Sequence, residues 1–333
     1  MKIIYIFRSP SNERSIERVF NPIINRVVEA GYKVDLAFAF SSRCWLWTII
    51  KNIVYYARLS KKNICHITGD IQYVGCLMNP KNTILTIHDL VSLHNEKTPW
   101  WFKKVVYLLW YYIPLKRLQY VTCISERTKQ DLVTYFPWAK DKITVINNPV
   151  GDEFILSPMP VVEKMPIILH IGTRSNKNLL RVIEAMKGIK ATLRIIGLLS
   201  AEQKIALDAS DIIYSNTYNL KDEELVNEYQ SCSIVSFPSL FEGFGMPIIE
   251  AQAVGRPVVT SNMEPMKTVA GNAAIFVDPE NIKSIRDGFN KILSDSQLQQ
   301  KYIALGDANV KHYTSSTIAK YYMELYELII GNR

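Results

Sequence analysis

Residues 233–250 read SIVSFPSLFEGFGMPIIE, a short apolar run followed by a glycine-containing loop and a helix start. The run 233–237 predicts a buried strand, and Pro247 suits the first turn of a helix. Gly243 and Gly245 let the backbone approach a ligand closely, and the free N–H groups of a helix start attract anions. The segment therefore predicts a diphosphate site between a strand and a helix.

Two carboxylates flank this helix start, eight residues apart. Glu242 lies in the loop and Glu250 lies in the first turns of the helix. Carboxylates accept hydrogen bonds from hydroxyl groups, so the two side chains can reach two parts of one ligand, such as a sugar and a ribose. In the alternative interpretation Glu242 caps the helix and Glu250 is solvated.

Strand-like runs alternate with helical patterns along all 333 residues, which is typical of α/β proteins with parallel sheets. The runs are 2–7, 33–40, 83–88, 120–124 and 143–146, and then 167–171, 192–196, 211–214, 233–237, 257–260 and 274–277. A turn-rich stretch, 147–152, separates the two sets. The pattern and the length predict two doubly wound, Rossmann-like domains, 1–150 and 151–312, that face each other across a cleft. A C-terminal helix, 313–333, is expected to cross back to the first domain.

Positive charge is concentrated in the first half of the chain. Residues 1–150 hold 21 Lys plus Arg against 10 Asp plus Glu, a net +11, whereas 18 and 21 in the remainder leave −3. The asymmetry indicates that the first half faces an anionic partner, such as a membrane surface, a phosphorylated acceptor or nucleic acid. A solvated basic face is the alternative. Nucleic-acid binding is disfavoured because aromatic-basic strand motifs are missing.

No stretch reaches the roughly 18 apolar residues that a membrane-spanning helix needs. Segments 45–62 and 105–115 do combine Trp, Tyr and Leu with Lys and Arg, the composition of helices that lie in a membrane interface, although aromatic stripes also form cores. The five cysteines form no C-x-x-C pair and resemble reduced core residues: Cys44, Cys65, Cys76, Cys123 and Cys232. The start of the chain lacks a signal-peptide pattern. We expect a cytoplasmic protein, with peripheral contact to the anionic inner face of the membrane.

The segment 238–250 resembles the motif of glutamate, seven residues and glutamate in glycosyltransferase family 4, which are retaining enzymes of the GT-B fold. The resemblance continues through 222–237 upstream, and through 251–262 and 270–279 downstream. It implies that a nucleotide-diphosphate sugar is the donor, that Glu242 contacts the donor sugar and that Glu250 contacts the ribose. The backbone of the loop would hold sugar and phosphate at Gly243, Phe244 and Gly245. The first domain would be the acceptor side and the second the donor side.

A second anion-binding candidate is 168–178, ILHIGTRSNKN, in which a strand and a turn at Gly172 precede two cations. The family places a basic pair here on the donor diphosphate, a role that falls on Arg174 and Lys177 in a loop that is one residue shorter than the family pattern. Such charges would stabilise the departing nucleotide in the transition state. Two solvated loop cations are the alternative.

In the first half, His88 and Asp89 directly follow a strand, where ligands of parallel sheets bind. They resemble the family's His-Asp pair, whose histidine lies near the donor sugar and the reacting centre. Asp70, in the stretch 66–70, is a further candidate. Purely structural roles remain the alternative for these residues.

No D-x-D motif and no metal-ligand spacing occurs in the chain. We therefore expect no cofactor and no metal, with Arg174, Lys177 and the helix start supplying the positive charge. Two features depart from the family. The loop 8–15 lacks the double glycine that many relatives have near the acceptor, so the resemblance does not define the acceptor geometry. Lys267 stands where relatives often have glutamate, and we have no physical account of this difference.

The resemblance to glycosyltransferase family 4, together with these residues, thus implies a retaining hexosyltransferase. It would move a sugar from a nucleotide-diphosphate sugar to a hydroxyl of a glycan or lipid-linked acceptor in cell-envelope polysaccharide synthesis, without nucleic acid as a partner. Two alternatives stay open: a GT-B epimerase or hydrolase that acts on a nucleotide sugar, and a nucleotide-sugar-binding module without catalysis.

Overall fold

The computed structural model describes residues 2–10, 15–41, 46–90, 93, 99–160 and 165–332. These residues form two compact units, Met1–Pro149 together with Ser315–Arg333, and Val150–Thr314. Each unit contains one six-stranded sheet in which all paired strands run parallel. The α/β class with two Rossmann-like sheets is confirmed. Cys44, named above, lies outside the described residues, and so does Trp45, the first residue of the segment 45–62.

The sheet of the first unit has the strand order β2-β1-β3-β4-β5-β6. Its strands are β1 (Lys2–Phe7), β2 (Lys33–Phe38), β3 (Ile64–Ile67), β4 (Thr83–Ile87), β5 (Tyr120–Cys123) and β6 (Ile143–Val145). Strand β3 was not predicted from the sequence. It has only four residues, all of them buried, so it shows no alternation of polar and apolar side chains.

Helices cover both faces of the first sheet. The described helices are α1 (Ser15–Glu29), α2 (Leu46–Leu59), α3 (Trp100–Val106), α4 (Ile113–Arg117) and α5 (Glu126–Tyr135), with a 3₁₀ turn at Gln72–Cys76 and a π-helical stretch at Tyr107–Tyr112. The C-terminal helix, Ser315–Gly331, packs with α1 in a core cluster separate from the one that contains α2 and α3.

A buried histidine joins the C-terminal helix to the first sheet. His66 on β3 lies 2.8 Å through Nδ1 from the Tyr326 hydroxyl and 2.8 Å through Nε2 from Thr86 Oγ1. The Tyr326 hydroxyl also donates to Tyr5 Oη at 2.7 Å. Burial lowers the pKa of His66 to about 3, so the ring is neutral and its polar atoms are satisfied by neutral partners. His66 is thus a core residue.

The sheet of the second unit has the order β12-β11-β10-β7-β8-β9. Its strands are β7 (Ile167–Ile171), β8 (Thr192–Ile196), β9 (Ile213–Thr217), β10 (Ile234–Phe237), β11 (Val258–Ser261) and β12 (Ile275–Val277). Its helices are α6 (Leu179–Met186), α7 (Ala201–Asp208), α8 (Asp222–Ser231), α9 (Met246–Ala253), α10 (Met266–Ala270), α11 (Ile282–Leu293) and α12 (Ser296–Val310).

Candidate functional site

The strand order of the second sheet fixes where a ligand of this unit binds. Strand β7 lies beside β10, and the chain leaves this pair toward β8 on one side and toward β11 on the other. Such a reversal leaves a crevice at the carboxyl ends of the two strands, the usual ligand site of open parallel sheets. The loops that begin there, 172–178 and 238–245, are the two anion-binding candidates of the sequence.

An ion pair joins these two loops. Lys177 Nζ lies 2.7 Å from Glu242 Oε1, and the two side chains are only 18% and 13% exposed. Asn176 Nδ2 donates to the same oxygen at 3.3 Å and to the carbonyl of Phe241 at 2.8 Å. Glu242 is therefore not a helix cap. Its carboxylate and the lysine cation form adjacent acceptor and donor groups, suited to a hydroxyl and a phosphate of one ligand.

Glycine is required at two positions around this pair. Gly172 has φ +92°, and a Cβ on it would lie 2.8 Å from Lys177 Cγ, so the lysine stem packs directly over the glycine. Gly245 has φ +114° and precedes α9, where it turns the loop into the helix. Lys177 Nζ also lies 4.7 Å from the centroid of the Phe237 ring, a cation–π contact that helps to hold the ammonium group in place.

The rest of the glycine-rich loop is anchored by Phe244. Its ring is buried and packs edge-to-face on Tyr313, with centroids 5.9 Å apart. Because this side chain belongs to the core, a ligand at this residue would meet the backbone. Gly243, half-buried beside it, has no side chain to obstruct such an approach.

Glu250 is oriented by a tyrosine that the sequence did not indicate. The hydroxyl of Tyr229, on α8, donates a short hydrogen bond to Glu250 Oε2. Burial, followed by the charge of Glu250, raises the pKa of Tyr229 well above 10, which keeps the hydroxyl protonated as a donor. Phe154 packs edge-to-face on the Tyr229 ring at 5.4 Å. Glu250 therefore has a fixed partner.

Asn178 is the second residue that sequence reasoning missed. Its Nδ2 donates to the carbonyls of Pro238, at 3.0 Å, and Pro279, at 2.7 Å, and so ties three loops together. Its backbone is left-handed, with φ +66°, which asparagine tolerates better than most residues. Asparagine is common at the start of helices, and this preference could have drawn attention to Asn178 in the sequence.

Arg174, the other cationic candidate of the loop, and His170, a basic residue on the preceding strand, differ from Lys177. Arg174 has an exposed side chain, and its carbonyl accepts a hydrogen bond of 2.8 Å from the N–H of Lys177. His170, on β7, is fully buried. Burial and the nearby Lys177 charge lower the pKa of His170 to about 3, so it adds no second cation. A diphosphate role for Arg174 stays a prediction.

The first unit has its own switch point, between β1 and β3. Arg8 follows β1 and Asp70 follows β3, and Nη1 of the arginine lies 2.8 Å from Oδ2 of the aspartate. Trp110, from the π-helical stretch, donates from Nε1 to the carbonyl of Asp70 at 2.9 Å. An arginine, a carboxylate and an aromatic ring thus meet at one strand edge. Residues 11–14 of the loop 8–15 lie outside the described residues.

His88 and Asp89 follow β4, the neighbour of β3. His88 Nε2 donates to the carbonyl of Thr68 at 2.7 Å, and since a carbonyl oxygen can only accept, this contact places a proton on Nε2. A Cβ on Gly69 would lie 2.6 Å from His88 Cδ2, so the histidine packs against a bare backbone. The Asp89 carbonyl accepts from the Tyr111 hydroxyl at 3.2 Å.

The described ranges contain neither a metal-binding cluster nor a membrane-spanning helix. Among these residues, no three His, Cys, Asp or Glu side chains are grouped so that they could hold a metal ion. Within the same ranges, no helix has the length and apolar character needed to cross a bilayer.

Two protein-family models match the chain. Residues 8–154 match the model described as Glycosyltransferase Family 4, and residues 153–307 match the model described as Glycosyl transferases group 1. The second match includes both loops that carry Lys177 and Glu242.

Curated relatives are similar over most of the chain. The serotype-specific mannosyltransferase WbdA of Escherichia coli is 25% identical over 251 residues, which cover 65% of this chain and 30% of the relative. The O-antigen chain mannosyltransferase RfbU of Salmonella typhimurium is 24% identical over 255 residues, covering 74% of this chain and 68% of the relative. The chain thus spans less than a third of the length of WbdA.

Solved structures share the fold. A glycosyltransferase from Rickettsia africae superposes with a TM-score of 0.77 at 20% identity, with both chains fully covered. The Anabaena protein Alr3699/HepE, in complex with UDP and glucose, gives a TM-score of 0.73 at 13% identity, covering 98% of this chain and 99% of that chain. At these identities the likeness concerns the fold alone.

Proposed function

The chain belongs to the GT-B glycosyltransferases, and from that premise we propose that it is a retaining hexosyltransferase that uses a nucleotide-diphosphate sugar. One observation carries the proposal: Lys177 and Glu242 meet at the switch point of the second sheet. A cation for phosphate and a carboxylate for sugar hydroxyls lie there side by side.

The donor occupies the loops of the second unit. Lys177, with Arg174 on the same loop, binds the diphosphate. The backbone of residues 243–245, at the start of α9, adds N–H donors. Glu242 accepts hydrogen bonds from the sugar, and Glu250, held by Tyr229, accepts them from the ribose. The names of two relatives, both mannosyltransferases, make mannose the first hexose to test.

The proposed reaction needs no protein nucleophile. The acceptor oxygen forms a bond to the anomeric carbon on the face from which the diphosphate departs, and the bond from that carbon to the phosphate oxygen breaks. The proton of the acceptor hydroxyl passes to an oxygen of the leaving β-phosphate. Lys177 stabilises the charge that develops on the diphosphate, a role that requires no metal ion.

The acceptor side is the switch point of the first sheet. There Arg8, Asp70 and Trp110 offer a cation, a hydroxyl acceptor and an aromatic ring within one cluster. Such a set suits a sugar ring next to a phosphate, as in a lipid-linked glycan. His88, through Nδ1, accepts a hydrogen bond from a sugar hydroxyl. An acceptor in cell-envelope polysaccharide synthesis, used at the cytoplasmic face of the membrane, fits these groups.

Nucleotide release separates this function from its alternatives. The purified protein is incubated with GDP-mannose, UDP-glucose and ADP-glucose, with and without octyl mannoside or octyl glucoside as acceptor, in the presence of EDTA. A transferase releases nucleoside diphosphate only or mainly when an acceptor is present. Equal release without an acceptor indicates a hydrolase or a hydrolysing epimerase, conversion of the nucleotide sugar without release indicates a non-hydrolysing epimerase, and binding without either indicates a non-catalytic module. Loss of release in EDTA would contradict metal independence.

A further inference from the structure

Exposed apolar side chains of the first unit are concentrated on two helices. On α2, Leu46 and Trp47 are 69% and 80% exposed, and on α3, Trp100 and Trp101 are 70% and 57% exposed. Further exposed members are Ile50 and Val54 on α2 and Val105 on α3, and Leu108 lies in the π-helical stretch that follows α3. Helix α3 buries only its last residue, Val106, whereas α2 also buries Ile49 and Tyr56 in the core and is therefore apolar on both sides. A helix of this kind is typically covered on its outer side as well.

The two helices lie on the same face of the first sheet. Ile49 and Tyr56 of α2 belong to the same core cluster as Val106, the last residue of α3. Tyr73 links the elements: its hydroxyl accepts from Asn52 Nδ2 at 3.0 Å, and its ring centroid lies 4.7 Å from that of Trp110. The exposed sides of α2 and α3 therefore belong to the outer surface on the same side of the first sheet.

This surface is cationic as well as apolar. Segments 46–59 and 100–117 contain no Asp or Glu. Lys104 Nζ lies 4.8 Å from the centroid of the Trp100 ring, and Lys51 Nζ lies 4.4 Å from that of Phe40. Lysines beside exposed tryptophans are the composition of protein surfaces that insert between anionic headgroups and acyl chains.

A second copy of the chain fits this surface poorly. In a two-fold dimer the same patch would face itself and would bring Lys51, Lys103 and Lys104 against their own copies. A bilayer with anionic lipids complements both properties at once, because the rings enter the acyl boundary while the lysines meet phosphates.

We propose that the outer sides of α2 and α3, with Trp47, Trp100, Lys51, Lys103 and Lys104, seat this protein on an anionic lipid bilayer. The proposal does not depend on sugar transfer and is tested without it. It also places Trp110, in the helical segment that continues α3, close to the lipid surface.

The test is vesicle co-sedimentation of the full chain. Vesicles contain phosphatidylcholine alone or an equal mixture with phosphatidylglycerol. We expect at least about tenfold tighter binding to the anionic vesicles, and loss of most of this gain in about 1 M salt, where the screening length falls to about 3 Å. The double variant Trp47→Ser with Trp100→Ser is expected to bind at least about tenfold more weakly, and so is Lys103→Gln with Lys104→Gln.

The controls are exposed apolar residues elsewhere. Leu328, 51% exposed on the C-terminal helix, belongs to the opposite side of the first sheet, and Leu198, 69% exposed, belongs to the second unit. Leu328→Ser and Leu198→Ser should bind vesicles like the wild type. All variants should stay close to the wild-type melting temperature, because the replaced side chains are exposed, apart from Lys103, which is half-buried.

Three results would overturn the proposal. The first is absence of binding to the anionic vesicles, the second is equal weakening by the control substitutions, and the third is a wild-type dimer in sedimentation velocity that Trp47→Ser abolishes. The third result would identify a second copy as the occupant. None of them bears on nucleotide release, so the proposed transferase activity is tested separately.

Discussion

Replacement of Lys177 by methionine tests the pair that links the two donor loops. Methionine keeps an unbranched chain over Gly172 and removes only the ammonium group. The carboxylate of Glu242 then loses its cation, and a bound diphosphate loses the charge that stabilises its departure. We therefore expect effects on both stability and turnover.

The structure sets the size of the stability effect. Breaking a fully buried pair costs about 3–5 kcal/mol, whereas an exposed pair contributes at most about 1 kcal/mol. The contact of 2.7 Å between side chains 18% and 13% exposed lies between these limits. We expect Lys177→Met to lower the free energy of unfolding by about 2 kcal/mol, and the melting temperature by about 6 °C.

The effect on turnover should be larger than the effect on stability. Removing one preorganised group that stabilises transition-state charge typically lowers kcat by about 10²–10³-fold. The assay is acceptor-dependent release of nucleoside diphosphate from the donor that the wild type uses, at a temperature well below both melting transitions. Glu242→Gln should lower kcat to a similar extent while nucleoside diphosphate binding changes little.

A surface pair provides the matched control. Lys187 Nζ lies 2.8 Å from Glu184 Oε2, but both side chains are 45% exposed. Lys187→Met should change stability by less than about 0.5 kcal/mol and leave kcat unchanged. The reasoning is refuted if Lys177→Met keeps kcat within about twofold of the wild type, or if Lys187→Met lowers kcat as much.

Three further predictions concern residues that support the two units. Tyr229→Phe removes the donor to Glu250 and should weaken nucleotide binding about fivefold, as measured by calorimetry. Tyr218→Phe is the control and should bind nucleotide like the wild type. Equal affinities of Tyr229→Phe and the wild type would contradict the role of Tyr229. Asn178→Ala removes the side-chain donor to two loop carbonyls and should lower the free energy of unfolding, measured with urea, by about 2–4 kcal/mol. A decrease below about 0.5 kcal/mol would contradict the role of Asn178. The lowered pKa of His66, about 3, means that the unfolded chain alone takes up a proton as pH falls through about 6.5, so stability falls with pH. Between pH 7.5 and 5.5 the loss should be about 1.4 kcal/mol from this histidine, and His66→Gln should make that dependence shallower.

Most of the fold was accessible from the sequence, because buried parallel strands appear as apolar runs with helical patterns between them. The runs at 83–88, 120–124 and 233–237 correspond to β4, β5 and β10. Strand β9 begins two residues later than predicted, at Ile213, since Asp211 precedes the pairing with β8. Strand β3 was not predicted from the sequence, because a core histidine interrupts its short apolar run of four residues.

The candidate site was only partly accessible. Glu242 and Lys177 were found because each follows a strand and lies in a motif that resembles a known family. Their mutual contact was not predicted, since it depends on which two strands become neighbours, a property of the sheet order. Tyr229 and Asn178 were missed for the same reason, because they act through hydrogen bonds to residues 21 to 101 positions away.

Calorimetric titration of nucleoside diphosphates tests the central claim most directly. UDP, GDP and ADP are titrated into the wild type and into Lys177→Met, with uridine, guanosine and adenosine as ligands that lack phosphate. The account predicts that at least one diphosphate binds the wild type, that Lys177→Met binds it at least about tenfold more weakly, and that affinity for the matching nucleoside does not change. Failure of all three diphosphates to bind, or equal affinity of the two proteins, would contradict a donor site at the loops of Lys177 and Glu242.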